Sequence, residues 1–276
     1  MAKDLKMTGE RIIPNDIRTP IEYIQFLRHL FVYEHVKNEI SGNENVLEAG
    51  FGEGYGARML SETCKEIVGI DVKKQVVDYA ADKYSNNKCS FKLYDGNVIP
   101  FDDETFDVAI SFQVIEHIHN DAGFISQLHR VLKKGGRLYL TTPNRATRLK
   151  PGQKPWNRFH IREYYAHELD ALLGKIFRDV KVSGISATGE IHQIEADRIK
   201  QGFFLSLALR LGLRKLIPEF IDPLIARLIS AKKSKKVKSI DSQNIKSRFS
   251  LDDFRIETIK VDESLDLFAR AIKNKG

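Results

Sequence analysis

Short apolar runs alternate with segments of helical periodicity from about residue 45 onward, and this alternation constrains the fold more than any other feature of the chain. Such an alternation is typical of βα units, in which helices connect parallel strands. The stretch DAGFISQLHRVLKK, for example, carries an apolar stripe at helical spacing and is followed by two glycines. The pattern predicts a doubly wound α/β domain with strands at ENVLEAG, EIVGID, SFKLYD, FDVAISF and GRLYLTT.

The alternation changes after the fifth predicted strand. Residues 143–163 read as one long loop rich in Pro, Asn and Arg. In compact α/β domains a loop of this length is usually a lid or a binding loop, so we expect it to contribute to function. A helix near 164–174, a strand near 176–186 and a last strand-like run at 265–273 follow.

Basic residues are concentrated in one segment. The net charge is +7, yet residues 200–248 hold twelve Lys or Arg against three acids, so the rest of the chain is close to neutral. The segment suits three roles: a membrane-surface contact through 200–240, an RNA-binding surface, or a helical lid or dimer face. No aromatic residues interleave the lysine run, which disfavours RNA. We predict a helical cap over 1–44 and an α/β domain over 45–276, with a helical basic insertion at about 190–260.

Composition excludes several classes of protein. Of the 276 residues, 42% are hydrophobic, which is enough for a sizeable core and argues against disorder. No run of about 18 apolar residues occurs, and the first residues lack the apolar core of a signal peptide. We therefore expect a cytoplasmic protein, with peripheral contact at the inner membrane face as an alternative. Cys64 and Cys89 have neither metal-ligand nor disulfide spacing.

The first predicted strand ends in a glycine-rich turn, LEAGFGEGYG. Glycines after a parallel strand let the backbone turn tightly and approach a ligand at the carboxyl edge of the sheet. Gly50, Gly52 and Gly54 have the spacing GxGxG, whereas a dinucleotide fingerprint would need glycine at Tyr55. The turn therefore favours a ligand site other than that of a nicotinamide dehydrogenase.

Three acids lie at the ends of the first three predicted strands. Glu48 precedes the glycine turn, Asp71 ends the second strand and Asp95 ends the third. Because parallel strands end at one edge of the sheet, these carboxylates outline an elongated pocket of the size of a nucleoside. A carboxylate at the position of Asp71 can accept both hydroxyls of a ribose.

The strings VLEAGFGEG, VGID, YDG, FDVAISFQVIEHI and RVLKKGGRLYLTTPN resemble, in order and spacing, the motifs of class I S-adenosylmethionine-dependent methyltransferases. The resemblance covers residues 45–186 and implies a Rossmann-like, seven-stranded sheet, mostly parallel, with its last strand antiparallel. It also implies the cofactor S-adenosylmethionine, with Glu48 where the family usually has Asp. The residues that would bind the cofactor are Glu48, Gly50, Gly52, Gly54, Asp71, Val72, Asp95, Gly96, Asn97 and Gln113.

The stretch SFQVIEHIHN follows the fourth predicted strand, at the lip of the expected cofactor pocket. Gln113, Glu116 and His117 have the spacing i, i+3 and i+4, which puts them on one face of a helical turn. Methyl transfer requires alignment of the acceptor and, where the acceptor is a hydroxyl, removal of its proton. We predict Glu116, His117 and His160 of the long loop as catalytic residues.

The string FHIREYY and the opening TGERIIP are similar to those of bacterial methyltransferases of envelope glycans and lipid-linked sugars. This resemblance implies a saccharide or lipid-linked sugar as the acceptor, and O-methylation as the reaction. It also implies that Arg11, Asn144 and Arg162 contact the substrate or form the cap. RNA 2′-O-methylation and a cofactor-binding scaffold without catalysis are the alternatives.

A partial similarity to small-RNA 3′-terminal 2′-O-methyltransferases concerns a metal site. Those enzymes hold a divalent ion with an ExxEH motif and a later His, and matching by position gives Gln113, Glu116, His117 and His160. Glutamine replaces one carboxylate, which removes a negative charge from a site for a hard cation such as Mg²⁺ or Mn²⁺. Metal binding, a metal-free histidine base and a structural role at a helix start are therefore three open interpretations.

Overall fold

The computed structural model describes residues 12–210 and 247–274. Two predictions lie outside these residues. The first is the contact of Arg11 with substrate or cofactor. The second is the role of the basic segment 200–240 beyond its first residues, which form the end of a helix.

The amino-terminal helix α1, Pro20–Lys37, begins with strong start signals. The Thr19 side chain accepts a hydrogen bond from the Glu22 backbone N–H, the Glu22 carboxylate accepts one from the Thr19 N–H, and Pro20 occupies the first helical position. Several of its apolar residues are buried, and Ile24 and Val36 are fully so. The helix covers one face of the sheet, as expected for a helical cap.

Eight strands form one sheet in the order β3-β2-β1-β4-β5-β8-β6-β7. Strands β1 to β5 pair in parallel, whereas β8 is antiparallel to β5 and β6, and β7 is antiparallel to β6. The reversal of strand order at β1 and β4 is that of a doubly wound sheet. The bounds are β1 Asn45–Ala49, β2 Glu66–Asp71, β3 Cys89–Leu93, β4 Phe106–Phe112, β5 Leu132–Pro143, β6 Arg178–Ala187, β7 Phe254–Glu257 and β8 Asp266–Ile272.

The predicted number of seven strands is wrong, because β7 adds an eighth at the edge beside β6. This strand has four residues, FRIE, and Phe254 alone among them is fully buried. It also lies within the segment predicted as a helical insertion, so the chain returns to the sheet earlier than expected. The antiparallel pairing of β8 with β6 is as predicted.

Helices cover both faces of the sheet and create two apolar cores. Residues of α1, α2 and α3 fill one core, and residues of α4 and α6 fill the other. The α/β architecture predicted from the alternation is thereby confirmed. Besides α1, the helices are α2 Tyr55–Leu60, α3 Lys74–Tyr84, α4 Asp121–Val131, α5 Arg145–Arg148, α6 Ala166–Leu173 and α7 Gly189–Arg210.

The predicted insertion starts with α7. Among the described helices, α7 included, none is both long enough and apolar enough to cross a membrane.

Candidate cofactor and acceptor site

The glycine turn between β1 and α2 lies at the carboxyl edge of the parallel strands. Gly50, Gly52 and Gly54 have φ values of +80°, +64° and +102°, a region that residues with a Cβ rarely adopt. The Gly50 N–H donates to the Ile70 carbonyl at 2.8 Å, which holds the turn against the end of β2. The sequence therefore uses glycine here because the backbone conformation requires it.

Two of these glycines differ in what surrounds them. A Cβ on Gly50 would lie 2.4 Å from Cγ2 of Val114, so this glycine permits close packing against the segment after β4. Among the described residues, its chain neighbours apart, a Cβ on Gly52 would meet no atom within 4 Å. A side chain at Gly52 would therefore point into open space, which suits a ligand that approaches the main chain closely.

Glu48, the last acid before the turn, is 1% exposed. The Tyr33 hydroxyl of α1 donates to its Oε1, while its buried Oε2 has no hydrogen-bond partner among the described residues. Burial raises the pKa of this carboxyl to about 7. A buried carboxylate oxygen without a partner is costly, and a cationic ligand group beside it would remove that cost.

Glu53, which is not among the predicted site residues, anchors the glycine turn to α3. Its buried carboxylate accepts hydrogen bonds from the Tyr79 hydroxyl at 2.9 Å, the Lys83 ammonium at 2.7 Å and the Tyr84 hydroxyl at 2.6 Å. The only sequence signal was an acid inside the glycine turn. These contacts keep a strained turn in one conformation, as a preformed site requires.

The other predicted acids lie along the same edge. Asp71 ends β2, and its Oδ1 accepts the Lys73 N–H at 2.8 Å. Oδ1 of Asp95 accepts the N–H groups of Asn97 at 2.8 Å and Val98 at 2.9 Å, and these bonds lower the pKa of Asp95. The structure thus brings the predicted acids to one edge of the sheet, as parallel strands require.

Exposed apolar side chains accompany these acids. Val72, Leu93 and Val98 are 51%, 48% and 57% exposed. Leu93 is paired with Asp71 in the ladder, and a Cβ on Gly96 would lie 3.2 Å from Cγ1 of Val72, so the group is contiguous with the acids. Apolar surface beside carboxylates suits a flat aromatic base next to a sugar.

A second cluster lies beyond the end of β4. One side-chain ligand atom from each of Glu116, His117 and His160 lies within 4.8 Å of the others. The long loop reaches this point because the Ile161 N–H donates to the Glu116 carbonyl at 2.8 Å. The predicted association of Glu116, His117 and the distant His160 is therefore present in the structure.

Hydrogen bonds orient each member of this cluster. Oε2 of Glu116 accepts the Thr142 hydroxyl at 2.9 Å, whereas its buried Oε1 has no partner among the residues that the structure describes. Burial raises the pKa of Glu116 to about 8. Nδ1 of His117 lies 3.0 Å from the Phe159 carbonyl oxygen, and a carbonyl can only accept, so this nitrogen carries the hydrogen.

Gln113 does not share a helical face with Glu116 and His117, which corrects the prediction from their spacing. The short 3₁₀ helix at this point comprises Ile115–His117, and Gln113 precedes it with φ +57°. Its backbone N–H donates to the Thr141 carbonyl at 2.9 Å, while its amide nitrogen lies 3.4 Å from the Thr141 hydroxyl. The chain must turn sharply after a parallel strand, so a regular helix cannot begin at Gln113.

Asn144 and Arg162 have contacts within the protein. Asn144 is fully buried, and its amide nitrogen donates to the carbonyls of Val261 and Ser264 at 2.9 and 3.0 Å. This placement corrects the predicted contact of Asn144 with substrate, because none of its side chain is exposed. The Arg162 guanidinium donates to Asp121 at 2.6 Å and keeps part of its surface exposed.

Known proteins are similar to the chain in sequence and in fold. The profile of the family described as "Methyltransferase domain" matches residues 47–140. A probable S-adenosylmethionine-dependent methyltransferase of Mycobacterium tuberculosis is 35% identical over 196 residues, which are 70% of this chain and 68% of that protein. A probable S-adenosylmethionine-dependent methyltransferase of Mycolicibacterium smegmatis is 39% identical over 172 residues, which are 61% of this chain but only 63% of the relative.

A solved structure is similar at the level of the fold. A methyltransferase of Thermotoga maritima, described as a possible histamine N-methyltransferase, has a TM-score of 0.56 at 16% identity, over 91% of this chain and 92% of its own. Together with the glycine turn and the acids along the sheet edge, the sequence relationship identifies the family. The chain belongs to the S-adenosylmethionine-dependent methyltransferases.

Proposed function

We propose that the enzyme transfers the methyl group of S-adenosylmethionine to a hydroxyl oxygen of a saccharide acceptor, as in envelope glycan or glycolipid synthesis. The observation that carries this proposal is the cluster of Glu116, His117 and His160 next to the cofactor turn. Val114, two residues before Glu116, lies against Gly50. A hydroxyl is a weak acid and must lose its proton during transfer, so a cluster that can take a proton suits an oxygen acceptor.

The cofactor fits the first cluster of residues. Oε2 of Glu48 would accept a hydrogen bond from the ammonium group of the methionyl part, and the open space at Gly52 would hold its main chain. The Asp71 carboxylate would accept the ribose hydroxyls, as the position after a second parallel strand favours. Val72 and Val98, both largely exposed, would cover the faces of the adenine, with Asp95 and Asn97 at its edge.

Cofactor affinity is expected to depend on pH through Glu48. Burial raises its pKa from an ordinary 4.5 to about 7, so the unliganded protein holds a proton there below neutrality. An ammonium group favours the ionised carboxylate, so the proton must leave on binding. We expect the Kd for S-adenosylmethionine to be about tenfold higher at pH 6 than well above pH 7, measured by calorimetry.

The Glu48→Gln variant is the control for this pH dependence. The variant should bind S-adenosylmethionine more weakly at pH 7.5, and its Kd should differ little between pH 6 and higher pH. Any pH dependence that comes from titration of the cofactor itself should remain. The stability of the unliganded protein depends on pH in the opposite direction to its cofactor affinity. A raised carboxyl pKa means that stability falls as pH rises from about 4.5 to about 7, since only the folded state still holds the proton there. An unchanged pH profile in the variant would contradict the role of Glu48.

Two modes of hydroxyl activation suit the second cluster. In the first, a histidine accepts the proton of the acceptor hydroxyl directly. In the second, the side chains of Glu116, His117 and His160 would hold a divalent cation such as Mg²⁺ or Mn²⁺, which would supply Lewis-acid activation of the acceptor hydroxyl. The second mode is supported by Oε1 of Glu116, which is buried without a partner and lies 4.0 Å from Nε2 of His117.

The reaction can be tested with methyl-labelled S-adenosylmethionine, incubated with envelope saccharide fractions and, separately, with small RNAs. We expect label in the saccharide fraction as an alkali-stable ether. Parallel reactions contain a chelator, with and without added Mg²⁺ or Mn²⁺. If the chelator abolishes methyl transfer and added Mg²⁺ or Mn²⁺ restores it, the site uses a cation. If the chelator has no effect, a histidine accepts the proton of the hydroxyl. Label found only in RNA, or only on nitrogen, would contradict the proposed acceptor.

A further inference from the structure

Glu163, four residues beyond Phe159 in the long loop, connects His160 to a buried arginine. Its Oε1 lies 2.7 Å from Nδ1 of His160, and its Oε2 accepts a hydrogen bond from Nε of Arg148 at 3.0 Å. The side chains are 0% exposed for Glu163, 7% for His160 and 6% for Arg148. The three groups form a fixed chain of contacts that ends at the proposed catalytic cluster.

The contacts among Arg148, Glu163 and His160 determine which nitrogen of the His160 ring carries the hydrogen. Glu163 is buried and ion-paired with Arg148, so its carboxylate is ionised and can only accept hydrogen bonds. A His160 ring whose Nδ1 lies 2.7 Å from an ionised carboxylate carries a hydrogen on Nδ1, and its neutral form then has the lone pair on Nε2.

We propose that Glu163, held by Arg148, is a positioning residue that fixes His160 as the Nδ1–H tautomer and leaves Nε2 for the cluster with Glu116 and His117. The inference rests on the proposed role of His160 in activating the acceptor. Either mode of activation needs this lone pair, since both a proton and a cation bind at it.

Arg148 is itself held in place from the other side. Its guanidinium lies 4.9 Å from the centre of the Trp156 ring, and the guanidinium of Arg198 in α7 lies 5.7 Å from the same centre. Gly202, also in α7, leaves room for this ring, because a Cβ there would lie 2.6 Å from it. The Arg148–Glu163 pair is therefore built into a packed junction between the loop and α7, which suits a positioning role.

A purely structural role would make Glu163 just one anchor of the loop, and the same loop has an independent anchor for comparison. Asp121 accepts hydrogen bonds from Arg162 at 2.6 Å and from the Tyr164 hydroxyl at 2.8 Å, and neither bond involves the His160 ring. Glu163→Gln and Asp121→Asn both replace a carboxylate with an amide of the same shape. The two variants form a matched pair that separates loop anchoring from imidazole positioning.

The two variants should differ in the tautomer of His160. In Glu163→Gln the amide oxygen will face Arg148, so the NH₂ group donates to Nδ1 and forces the hydrogen onto Nε2. Long-range ¹H–¹⁵N correlation spectra of protein with labelled histidine report this directly. We expect Nδ1–H in the wild type and in Asp121→Asn, and Nε2–H in Glu163→Gln, with the same S-adenosylhomocysteine affinity in all three.

Turnover on the saccharide fraction, measured with methyl-labelled S-adenosylmethionine, provides the second readout. We expect Glu163→Gln to lower kcat by about 100-fold with little change in the KM for the cofactor, and Asp121→Asn to lower thermal stability with kcat nearly unchanged. An Nδ1–H tautomer retained in a folded Glu163→Gln protein would overturn the proposal. The spectra need no acceptor, so the tautomer result stands even if the saccharide assignment fails. A fully active His160→Ala enzyme would instead remove the proposed role of His160 in activating the acceptor, and with it the catalytic meaning of the tautomer.

Discussion

Replacing Gly52 with valine is expected to remove cofactor binding while the fold persists. The backbone at this position has φ +64°, so any side chain costs about 1–2 kcal/mol of strain. A Cβ would meet no atom within 4 Å in the described part of the chain beyond its immediate neighbours, and the valine methyl groups would fill the space proposed for the cofactor. We expect the Kd for S-adenosylmethionine to rise at least about 100-fold, a loss of about 2.7 kcal/mol measured by calorimetry.

Gly152 provides a matched control in the same chain. It has φ +73°, and a Cβ there would also meet nothing within 4 Å, but it lies in the long loop after α5. Gly152→Val should therefore cost a similar amount of stability in thermal unfolding and bind the cofactor like the wild type. If both variants bound S-adenosylmethionine equally well, the space beside Gly52 would not be the cofactor site.

The parallel core of the fold was predictable because each of its strands is a strong local signal. The runs of β1, β2 and β4 are apolar over most of their length, β5 contains the apolar run LYL, and each comes after a turn or a helical stretch. Strand β7 was not predictable, since FRIE is short and forms a strand only by pairing with β6, about seventy residues earlier. Such a pairing depends on the tertiary structure and leaves little periodicity in the sequence.

The cofactor side of the site was more predictable than the acceptor side. Glu48, the glycines and Asp71 lie in short motifs at the carboxyl ends of strands, so their place at the sheet edge follows from parallel topology. Glu53 was missed because its partners Tyr79, Lys83 and Tyr84 belong to another helix, and its burial cannot be recognised from an acid in a turn.

The acceptor side depends on contacts between distant segments. The meeting of His117 with His160 followed only from the family resemblance, because 42 residues separate Phe159 from its hydrogen-bond partner His117. Glu163 was missed for the same reason, since its role depends on the position of Arg148 and on burial. The spacing of Gln113 suggested a helical face, but the positive φ after β4 places it in a turn.

Removal of both histidines of the cluster is expected to abolish most turnover without affecting the cofactor. In the His117→Ala, His160→Ala double variant no imidazole remains to accept a proton or to bind a cation beside Glu116. We expect kcat on the saccharide fraction to fall by about 10²–10⁴-fold, measured with methyl-labelled cofactor at saturation. The Kd for S-adenosylmethionine should stay within about twofold of the wild-type value, since neither ring belongs to the proposed cofactor contacts.

His119 is the matched control for that double variant, because it lies two residues from His117 with an exposed side chain. Its backbone carbonyl, which accepts a hydrogen bond from Arg162, is retained in His119→Ala. This variant should therefore keep wild-type turnover. A double variant as active as His119→Ala would remove the cluster from the mechanism and leave alignment of the acceptor as the main source of catalysis. A comparable loss of turnover in the double variant and in His119→Ala would point to damage of the 3₁₀ helix Ile115–His117, and thermal unfolding of the two proteins would reveal it.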